Sequence, residues 1–335
     1  MYELKNKFAI GCLIQWYEIE LVEEYLQSVK NAVDTIENKD SVIIDLYFNC
    51  DQTLEKIDNE QITMSKIKNN YNTLLLDIFG YDEYNIKNNI NEVVNNIYTI
   101  ADYRRDFNNN YCDDVDVLMW GETDSLIPRQ TFQILDNLHD SVEEKTPKYV
   151  AFFGTCKMWD KSWEIIEHPE FTVKPFIDIG NRVDTENWWS LRYNMNIEEM
   201  NSFNDKVEDL DIRVTNKLKF NGCGLVISSD IVKSGVNIPK CSFFIHEDTA
   251  FMNCLQKMFG DNIPEYIIKN VLLVHNRKHI RKRMYVEGER EVMPGDVNGG
   301  RKKHTWYDKA NKLSEFNAHN MFNQTKTYTW KDVFE

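Results

Sequence analysis

Two carboxylates, Glu122 and Asp124, stand two residues apart directly after an apolar stretch near the middle of the chain. The stretch from Val115 to Trp120 has the character of a buried β-strand, and Pro128 opens a segment with apolar residues at helical spacing. In open α/β sheets, ligands bind at the carboxyl ends of the strands. Because Mg²⁺ and Mn²⁺ take one or two carboxylates together with substrate phosphates, this turn is a candidate metal site. A solvated acidic turn would show the same short pattern.

A second acidic pair, Glu247-Asp248, follows an apolar strand-like stretch, Phe243 to Ile245, and precedes a helical pattern from Thr249 to Phe259. Acidic residues at a helix N-terminus commonly serve as caps or as partners of the helix dipole. A carboxylate in a partly buried cleft can equally serve as a general base. Asp248 and Glu247 are therefore candidate catalytic residues.

One histidine and two arginines are placed where they could assist such a site. His275 ends an apolar, strand-like run from Ile267 to Val274, and a neutral imidazole there can complete a metal site begun by Asp124. Arg104 and Arg105 precede the central strand, and guanidinium groups bind phosphate through two hydrogen bonds. A structural histidine and two helix-surface arginines are the alternatives.

The elements that must position these residues alternate between strands and helices. Strand character extends over Phe8 to Ile14 and Val42 to Phe48, and an amphipathic helical pattern covers Ile19 to Ile36 between them. This order predicts a right-handed βαβ unit without a G-x-G-x-x-G fingerprint. Residues 55–110 are mostly helical by pattern, and further short strands are expected at Tyr149 to Gly154 and Leu225 to Ile227.

A tryptophan-rich stretch and a glycine-containing segment follow the central strand. Aromatic residues at this density usually form core, but their flat faces also stack on sugar rings and bases. Glycines allow the backbone to approach a ligand closely. Candidate acceptor contacts are therefore Trp159, Trp188, Trp189, Asn221 and Gly222.

Composition restricts the class of protein. Hydrophobic residues make up 42% of the 335 residues and aromatic residues 13%, so a sizeable core can be buried. The seven cysteines include no C-x-x-C pair, which argues against a zinc site or a disulfide framework and fits a reducing compartment. No apolar run approaches the ~18 to 20 residues of a membrane span, and the N-terminus lacks a signal-peptide layout. We therefore expect a cytoplasmic globular protein.

The net charge of −15 is unevenly distributed along the chain. Residues 277–304 contain nine Lys and Arg residues against four Asp and Glu residues. Such a basic segment predicts a site for a polyanion or a phosphate-rich ligand, with a solvated basic face as the alternative. Arg281 lies within this cluster and is a candidate contact for a diphosphate.

In combination and in this order, the motifs resemble those of GT-A-fold glycosyltransferases over roughly residues 8–280. Glu122-Thr123-Asp124 is similar to the D-x-D metal motif, with Glu in place of the first Asp. Glu247-Asp248 is similar to the E-D pair whose aspartate is the base in inverting members, and His275 to a late metal-ligating histidine. The resemblance implies an α/β fold with a Rossmann-type, mostly parallel central sheet flanked by helices, an aromatic-rich insertion and a basic C-terminal segment.

The resemblance also implies a division of the chain and a set of donor contacts. Residues 1–145 would bind the nucleotide-sugar, residues 146–276 would hold the acceptor and catalytic groups, and residues 277–335 would form the basic segment, all within one GT-A-type domain. The implied donor contacts, together with Arg281, are Gln15, Trp16, Glu18, Asn49, Asp51, Arg104 and Arg105.

The implied reaction is transfer of a sugar from a nucleotide-diphosphate sugar, with UDP-sugars favoured, to an acceptor hydroxyl in an inverting, Mn²⁺- or Mg²⁺-dependent displacement. The acceptor would be a glycan or the hydroxymethylated bases of phage DNA, which would have to be flipped out of the duplex. Two other classes stay open. A nucleotidyltransferase also uses acidic metal ligands on an α/β sheet, and a non-catalytic carbohydrate- or nucleic-acid-binding protein would use only the tryptophans and the basic segment.

Overall fold

A computed structural model gives the fold. It describes residues 1–50, 53–54, 63–80, 83–91, 97–142, 147–155, 196–214, 222–275, 305–323 and 326–335.

The N-terminal half forms a parallel sheet. Its strands are β1 Phe8–Gln15, β2 Val42–Asn49, β3 Asn85–Asn91 and β4 Val117–Gly121, and they lie in the order β3-β2-β1-β4. The helices that connect them are α1 Ile19–Val33, α2 Met64–Phe79 and α3 Ile100–Tyr111, with short 3-10 turns at Trp16–Glu18 and Lys39–Ser41.

The C-terminal half extends the same sheet with mixed pairing. Its strands are β5 Ser125–Leu126, β6 Val150–Thr155, β7 Ile212–Val214, β8 Val226–Ser228 and β9 Glu265–His275. Strand β8 is antiparallel to both β4 and β6, β6 is parallel to β9, and β5 and β7 pair antiparallel with β9. The remaining helices of the described residues are α4 Thr131–Val142, α5 Ile197–Asn204, α6 Ser229–Lys233, α7 Glu247–Phe259, α8 Thr305–Asn320 and α9 Trp330–Phe334, with a 3-10 turn at Gly260–Asn262.

The sheet separates two hydrophobic cores. Alternate residues of β1 point to opposite faces, so Phe8 and Ile10 join one core and Ala9 and Leu13 the other. Burial on both faces explains why β1 and β4 are apolar almost throughout. The predicted α/β fold, with a Rossmann-type sheet flanked by helices, is therefore confirmed by the topology.

Two of the differences between the structure and the sequence-based elements have a clear form. Strand β3 lies within the stretch that we predicted to be mostly helical. Its sequence, NIKNNIN, has only two β-branched residues and is otherwise Asn and Lys, and it can be this polar because it sits at the sheet edge with most side chains partly or fully exposed. The expected strand at Phe243 to Ile245 is instead an irregular segment leading into α7.

The strand order defines a crevice. From β1 the chain moves outward to β2 and β3, and then returns to the other side of β1 as β4. The carboxyl ends of β1 and β4 therefore form a topological switch point, where open α/β sheets bind ligands. The 3-10 turn Trp16–Glu18 and the acidic turn at Glu122 to Asp124 leave the sheet at this point. Within the described residues, no helix is both long and apolar enough to cross a membrane.

Candidate active site

Arg104 is the centre of the side-chain cluster at the switch point. It comes from α3 and is only 1% exposed. Its Nη1 donates to Oε1 of Glu247, and its Nη2 donates to Oε1 of Glu122 at 2.7 Å and to the carbonyl oxygen of Gly222 at 2.9 Å. The guanidinium carbon also lies 4.8 Å from the ring centroid of Trp120 on β4, within the range of a cation–π contact. One side chain thus connects α3, the acidic turn, the start of α7 and the segment before β8.

Gly222 brings the second acidic pair to the same cluster. Its N–H donates to Oδ2 of Asp248 at 3.1 Å, while its carbonyl accepts from Arg104. A Cβ at position 222 would lie 2.7 Å from Nη1 of Arg104 and 3.4 Å from Oδ2 of Asp248, so a side chain here would collide with the arginine. Glycine here thus allows the backbone to lie close to the guanidinium, while its predicted approach to a ligand stays a prediction.

The two members of the Glu247-Asp248 pair have different surroundings. Glu247 is 6% exposed and is bound to Arg104. Asp248 is half-buried, and its carboxylate accepts from the N–H groups of Gly222 and Thr249. Asp248 is therefore less buried than Glu247, whose carboxylate serves as a partner of the arginine.

The charges of the cluster influence one another strongly. Burial alone would lower the pKa of Arg104, but the Glu247 and Glu122 carboxylates raise it above its ordinary value, so the guanidinium keeps its charge. Burial raises the pKa of Glu247, Arg104 opposes that rise, and Asp248 adds to it. Around a single guanidinium the fold thus places several carboxylates, which gives this edge of the sheet an excess of acidic groups.

The acidic turn is fixed to the end of β1. Glu18, 6% exposed, accepts a hydrogen bond from the hydroxyl of Thr123 at 2.9 Å and from the N–H of Gln15 at 3.2 Å. Glu18 therefore joins the two turns on either side of the crevice. The donor contact expected of Glu18 would compete with these bonds.

The chemistry of the donor set at the turn suits a hard divalent cation. Glu122 pairs with Arg104, and Asp124, half-buried on the same turn, stays the predicted ligand. Ser125 pairs with His275 in the ladder between β5 and β9, so the backbone of His275 lies opposite the residue that follows Asp124. The side chain of His275 is outside the described residues. No three His, Cys, Asp or Glu side chains within the described ranges form a metal-binding group.

The predicted donor contacts at the ends of β1 and β2 form a hydrogen-bonded chain. Nδ2 of Asn49 donates to Oε1 of Gln15 at 3.0 Å and to the carbonyl oxygen of Tyr98 at 3.0 Å. Its Oδ1 accepts from Nδ2 of Asn91, also at 3.0 Å. A base contact by Asn49 would therefore require one of these bonds to break.

Two other residues predicted to contact the nucleotide-sugar make contacts within the protein instead. Trp16 is 1% exposed and packs in the core, in an edge-to-face contact with Tyr17. Arg105 points away from Arg104, and its guanidinium donates to carbonyl oxygens of residues 238, 239 and 242. A nucleotide contact by Arg105 would compete with these hydrogen bonds, and Trp16 is buried beneath the turn.

Several predicted site residues lie outside the described residues. These are Asp51, Arg281, Trp159, Trp188, Trp189 and Asn221. Their roles stay predictions, as does the basic segment at 277–304.

Sequence reasoning missed the contribution of the C-terminal helix α8. Its Asn311 contacts His246, and its Ser314 donates to the carbonyl oxygen of residue 245 immediately before the acidic pair. The sequence assigned this region to a basic segment. The only available signal was the helical spacing of apolar residues in 305–320, which does not indicate what the helix packs against.

No protein-family model matches the chain, and no curated protein matches it in sequence. Among solved structures, TarS residues 1–349 from S. aureus has a similar fold, with 10% identity and a TM-score of 0.42 over 96% of this chain and 73% of that one. The same TarS fragment in complex with UDP-GlcNAc gives 11% identity and a TM-score of 0.41 over 96% and 74%. UDP-glucose pyrophosphorylase complexed with UDP-glucose gives 8% identity and a TM-score of 0.38 over 92% of this chain and 98% of that one.

Replacing Arg104 by methionine tests its role as the centre of the cluster. We expect Arg104→Met to reduce the free energy of unfolding by about 3–5 kcal/mol near neutral pH, because a buried carboxylate loses its partner. Without Arg104 the folded-state pKa of Glu247 would rise further above its unfolded value. The variant would then keep its stability at pH values below the pKa of Glu247 in the unfolded chain. It would lose stability as the pH rises through the pKa of Glu247 in the folded state. Urea unfolding at pH 5 and pH 8 should show the larger deficit at pH 8.

Arg129→Met is the matched control, because Arg129 forms an ion pair with Asp205 in which both side chains are about 40% exposed. We expect it to cost at most about 1 kcal/mol at either pH. A deficit for Arg104→Met that equals the control, or that is the same at both pH values, would contradict the proposed charge arrangement.

Proposed function

We propose that the protein transfers a sugar from a nucleotide-diphosphate sugar to an acceptor hydroxyl in a metal-dependent reaction. The observation that carries this proposal is the cluster at the switch point of β1 and β4, where Glu122, Glu247 and Asp248 converge on Arg104 and Gly222. It combines a fixed positive charge, acidic groups and a half-buried carboxylate in the crevice where α/β sheets bind ligands.

The excess of carboxylates explains the proposed metal requirement. A diphosphate is itself negatively charged and would be repelled by this edge of the sheet in the absence of a cation. We assign the metal to Asp124, with Glu122 and His275 as further candidate ligands. A bound Mn²⁺ or Mg²⁺ would offset the charge of the diphosphate leaving group.

Asp248 is the candidate general base. Two backbone N–H groups, those of Gly222 and Thr249, fix its carboxylate, and its partial exposure leaves room for an acceptor hydroxyl. It would take the hydroxyl proton while the acceptor oxygen attacks the anomeric carbon and the bond to the diphosphate breaks, which inverts that carbon. Glu247, buried against Arg104, is better suited to holding the arginine than to exchanging protons with a substrate.

The turn after β1 favours this reaction over nucleotidyl transfer. Nucleotidyltransferases usually surround the triphosphate with a glycine-rich loop after the first strand, whose exposed N–H groups bind phosphate. Here the chain enters the 3-10 turn Trp16–Glu18, in which Trp16 and Glu18 are buried. Release of pyrophosphate rather than nucleoside diphosphate would nevertheless identify a nucleotidyltransferase.

The acceptor is proposed more broadly, as a glycan or hydroxymethylated DNA. The sequence features that favour DNA are the basic residues of 277–304, which could neutralise phosphates, and the tryptophans, which could stack on a base.

The donor and the metal site can be tested by thermal unfolding with a panel of nucleotide-sugars, with and without Mn²⁺. A ligand at a hundredfold excess over its Kd stabilises the folded state by about 2.7 kcal/mol, so the matching donor should raise Tm only when Mn²⁺ is present. Asp124→Asn should abolish that increase. Asp114→Asn, an exposed acid in the turn before β4, is the control and should leave it unchanged. A metal-dependent increase that persists in Asp124→Asn would rule out this metal assignment.

The base can be tested separately through Asp248→Asn. We expect normal donor binding and a turnover lower by at least about a hundredfold, since a general base contributes on that scale. Asp230→Asn removes a comparable acid from the first turn of α6 and controls for loss of a favourable helix-dipole interaction. If Asp248→Asn retains near-normal turnover, as the control should, Asp248 is only a cap, and a retaining mechanism would then be favoured.

A further inference from the structure

The loop before α7 is held from two sides. From the side of α3, Arg105 donates to the carbonyl oxygens of residues 238, 239 and 242. The hydroxyl of Thr99 donates to the carbonyl oxygen of Phe243 at 3.2 Å. From the side of α8, Asn317 donates to the carbonyl oxygen of Cys241 at 2.8 Å, and Ser314 donates to that of Ile245. The backbone leading to the acidic pair is therefore fixed over most of its length.

His246, the last residue of this loop, has an unusual backbone conformation. With φ 65° and ψ 25°, it is in the left-handed region, and it is the only non-glycine residue with positive φ in the described part of the chain. Histidine tolerates this region better than bulky residues do, but the conformation still has to be stabilised by its surroundings. Because Glu247 and Asp248 follow directly, the backbone angles of His246 determine where both carboxylates point.

The side chain of His246 does not cap α7, although it stands at the N-cap position. Its Nε2 instead lies 2.8 Å from Oδ1 of Asn311 on α8. An amide oxygen only accepts hydrogen bonds, so Nε2 carries the proton in this arrangement. The bond holds the imidazole against α8 and so restrains the residue whose backbone sets the direction of α7.

Helix α8 is a firm support for this contact. Ala310, next to Asn311, is buried in a cluster with Phe243 and Val333, and Trp306 and Trp330 pack against the same cluster. Phe243 and Trp330 meet edge to face at 5.2 Å between ring centroids. Helices α8 and α9 therefore hold the loop through both apolar and polar contacts.

We propose that Asn311 is a positioning residue for Asp248 and acts through His246. The proposal rests on the proposed function, in which Asp248 is the base. Asn311 holds His246 in its left-handed conformation, His246 sets the first turn of α7, and Asp248 is thereby placed against the N–H of Gly222. Helix α8, remote in sequence from the acidic pair, is on this account part of the machinery that orients the base.

The first measurement is hydrogen exchange at the Gly222 amide, whose bond to Asp248 reports the position of that carboxylate. In the full chain without any donor, Asn311→Leu should speed this exchange about five- to tenfold, the scale of one lost hydrogen bond. Asn311→Asp retains an oxygen acceptor for Nε2 and should stay within about threefold of wild type. Asn320→Leu is the control, because Asn320 lies on the same helix and its side chain donates to the carbonyl oxygen of Phe316 within that helix.

The second measurement is hydrolysis of a nucleotide-sugar by the same variants. Asn311→Leu should lower kcat by about ten- to a hundredfold, because a misplaced catalytic group is costly, with KM for the donor changed less than about twofold. Asn311→Asp should restore kcat. A purely structural role would instead lower the fraction of active protein without restoration by the aspartate.

A second comparison, made in the His246→Gly variant, provides a test if Asn311→Leu alone folds poorly. Glycine adopts the left-handed region without support, so adding Asn311→Leu to His246→Gly should change Gly222 exchange by less than about twofold. The proposal is overturned if Asn311→Leu matches Asn320→Leu in Gly222 exchange, or if its effect is as large in the glycine background. Hydrogen exchange is measured without a nucleotide-sugar, so it tests the positioning role of Asn311 on its own. A wild-type protein that hydrolyses no nucleotide-sugar would count against the proposed function only.

Discussion

The ion pairs of the buried Arg104 guanidinium are the interaction on which the rest of the candidate site depends. An unpaired charge at this depth would cost several kcal/mol, so the fold has to supply partners, and it does so with Glu122, Glu247 and the carbonyl of Gly222. The planar fork of a guanidinium can bind all three at once, which the single ammonium of lysine could not do in the same geometry. Satisfying one charge therefore brings together segments that are distant in sequence.

This arrangement separates the roles of the four acidic residues. Glu247 and Glu122 compensate Arg104, Asp248 is held by backbone N–H groups, and Asp124 follows Glu122 on the turn that Glu18 fixes through Thr123. Of these four, only Glu247 is fully buried, in its pair with the arginine. The half-buried Asp124 and Asp248 are the ones suited to contact a metal or a substrate.

The sequence predicted the features that depend on local patterns. Apolar runs identified β1, β2 and β4, and the acids that follow β4 and begin α7 stood out because they interrupt apolar segments. It did not predict β3, whose asparagine-rich sequence is tolerated at a sheet edge. Nor could it predict that Arg104 pairs with Glu247, 143 residues away, or that Asn311 contacts His246, because neither contact leaves a periodic signal.

We propose that the switch point of β1 and β4 binds a divalent cation together with the donor diphosphate. Paramagnetic broadening by Mn²⁺ in the presence of a UDP-sugar tests this directly through backbone amide signals. We expect strong broadening at Thr123, Ser125 and Gly222. The signals of Phe8 and Val42, at the opposite ends of β1 and β2 and about 23 Å away by strand rise, should persist. Broadening that spares Thr123 and Ser125, or that is uniform across the sheet, would contradict it.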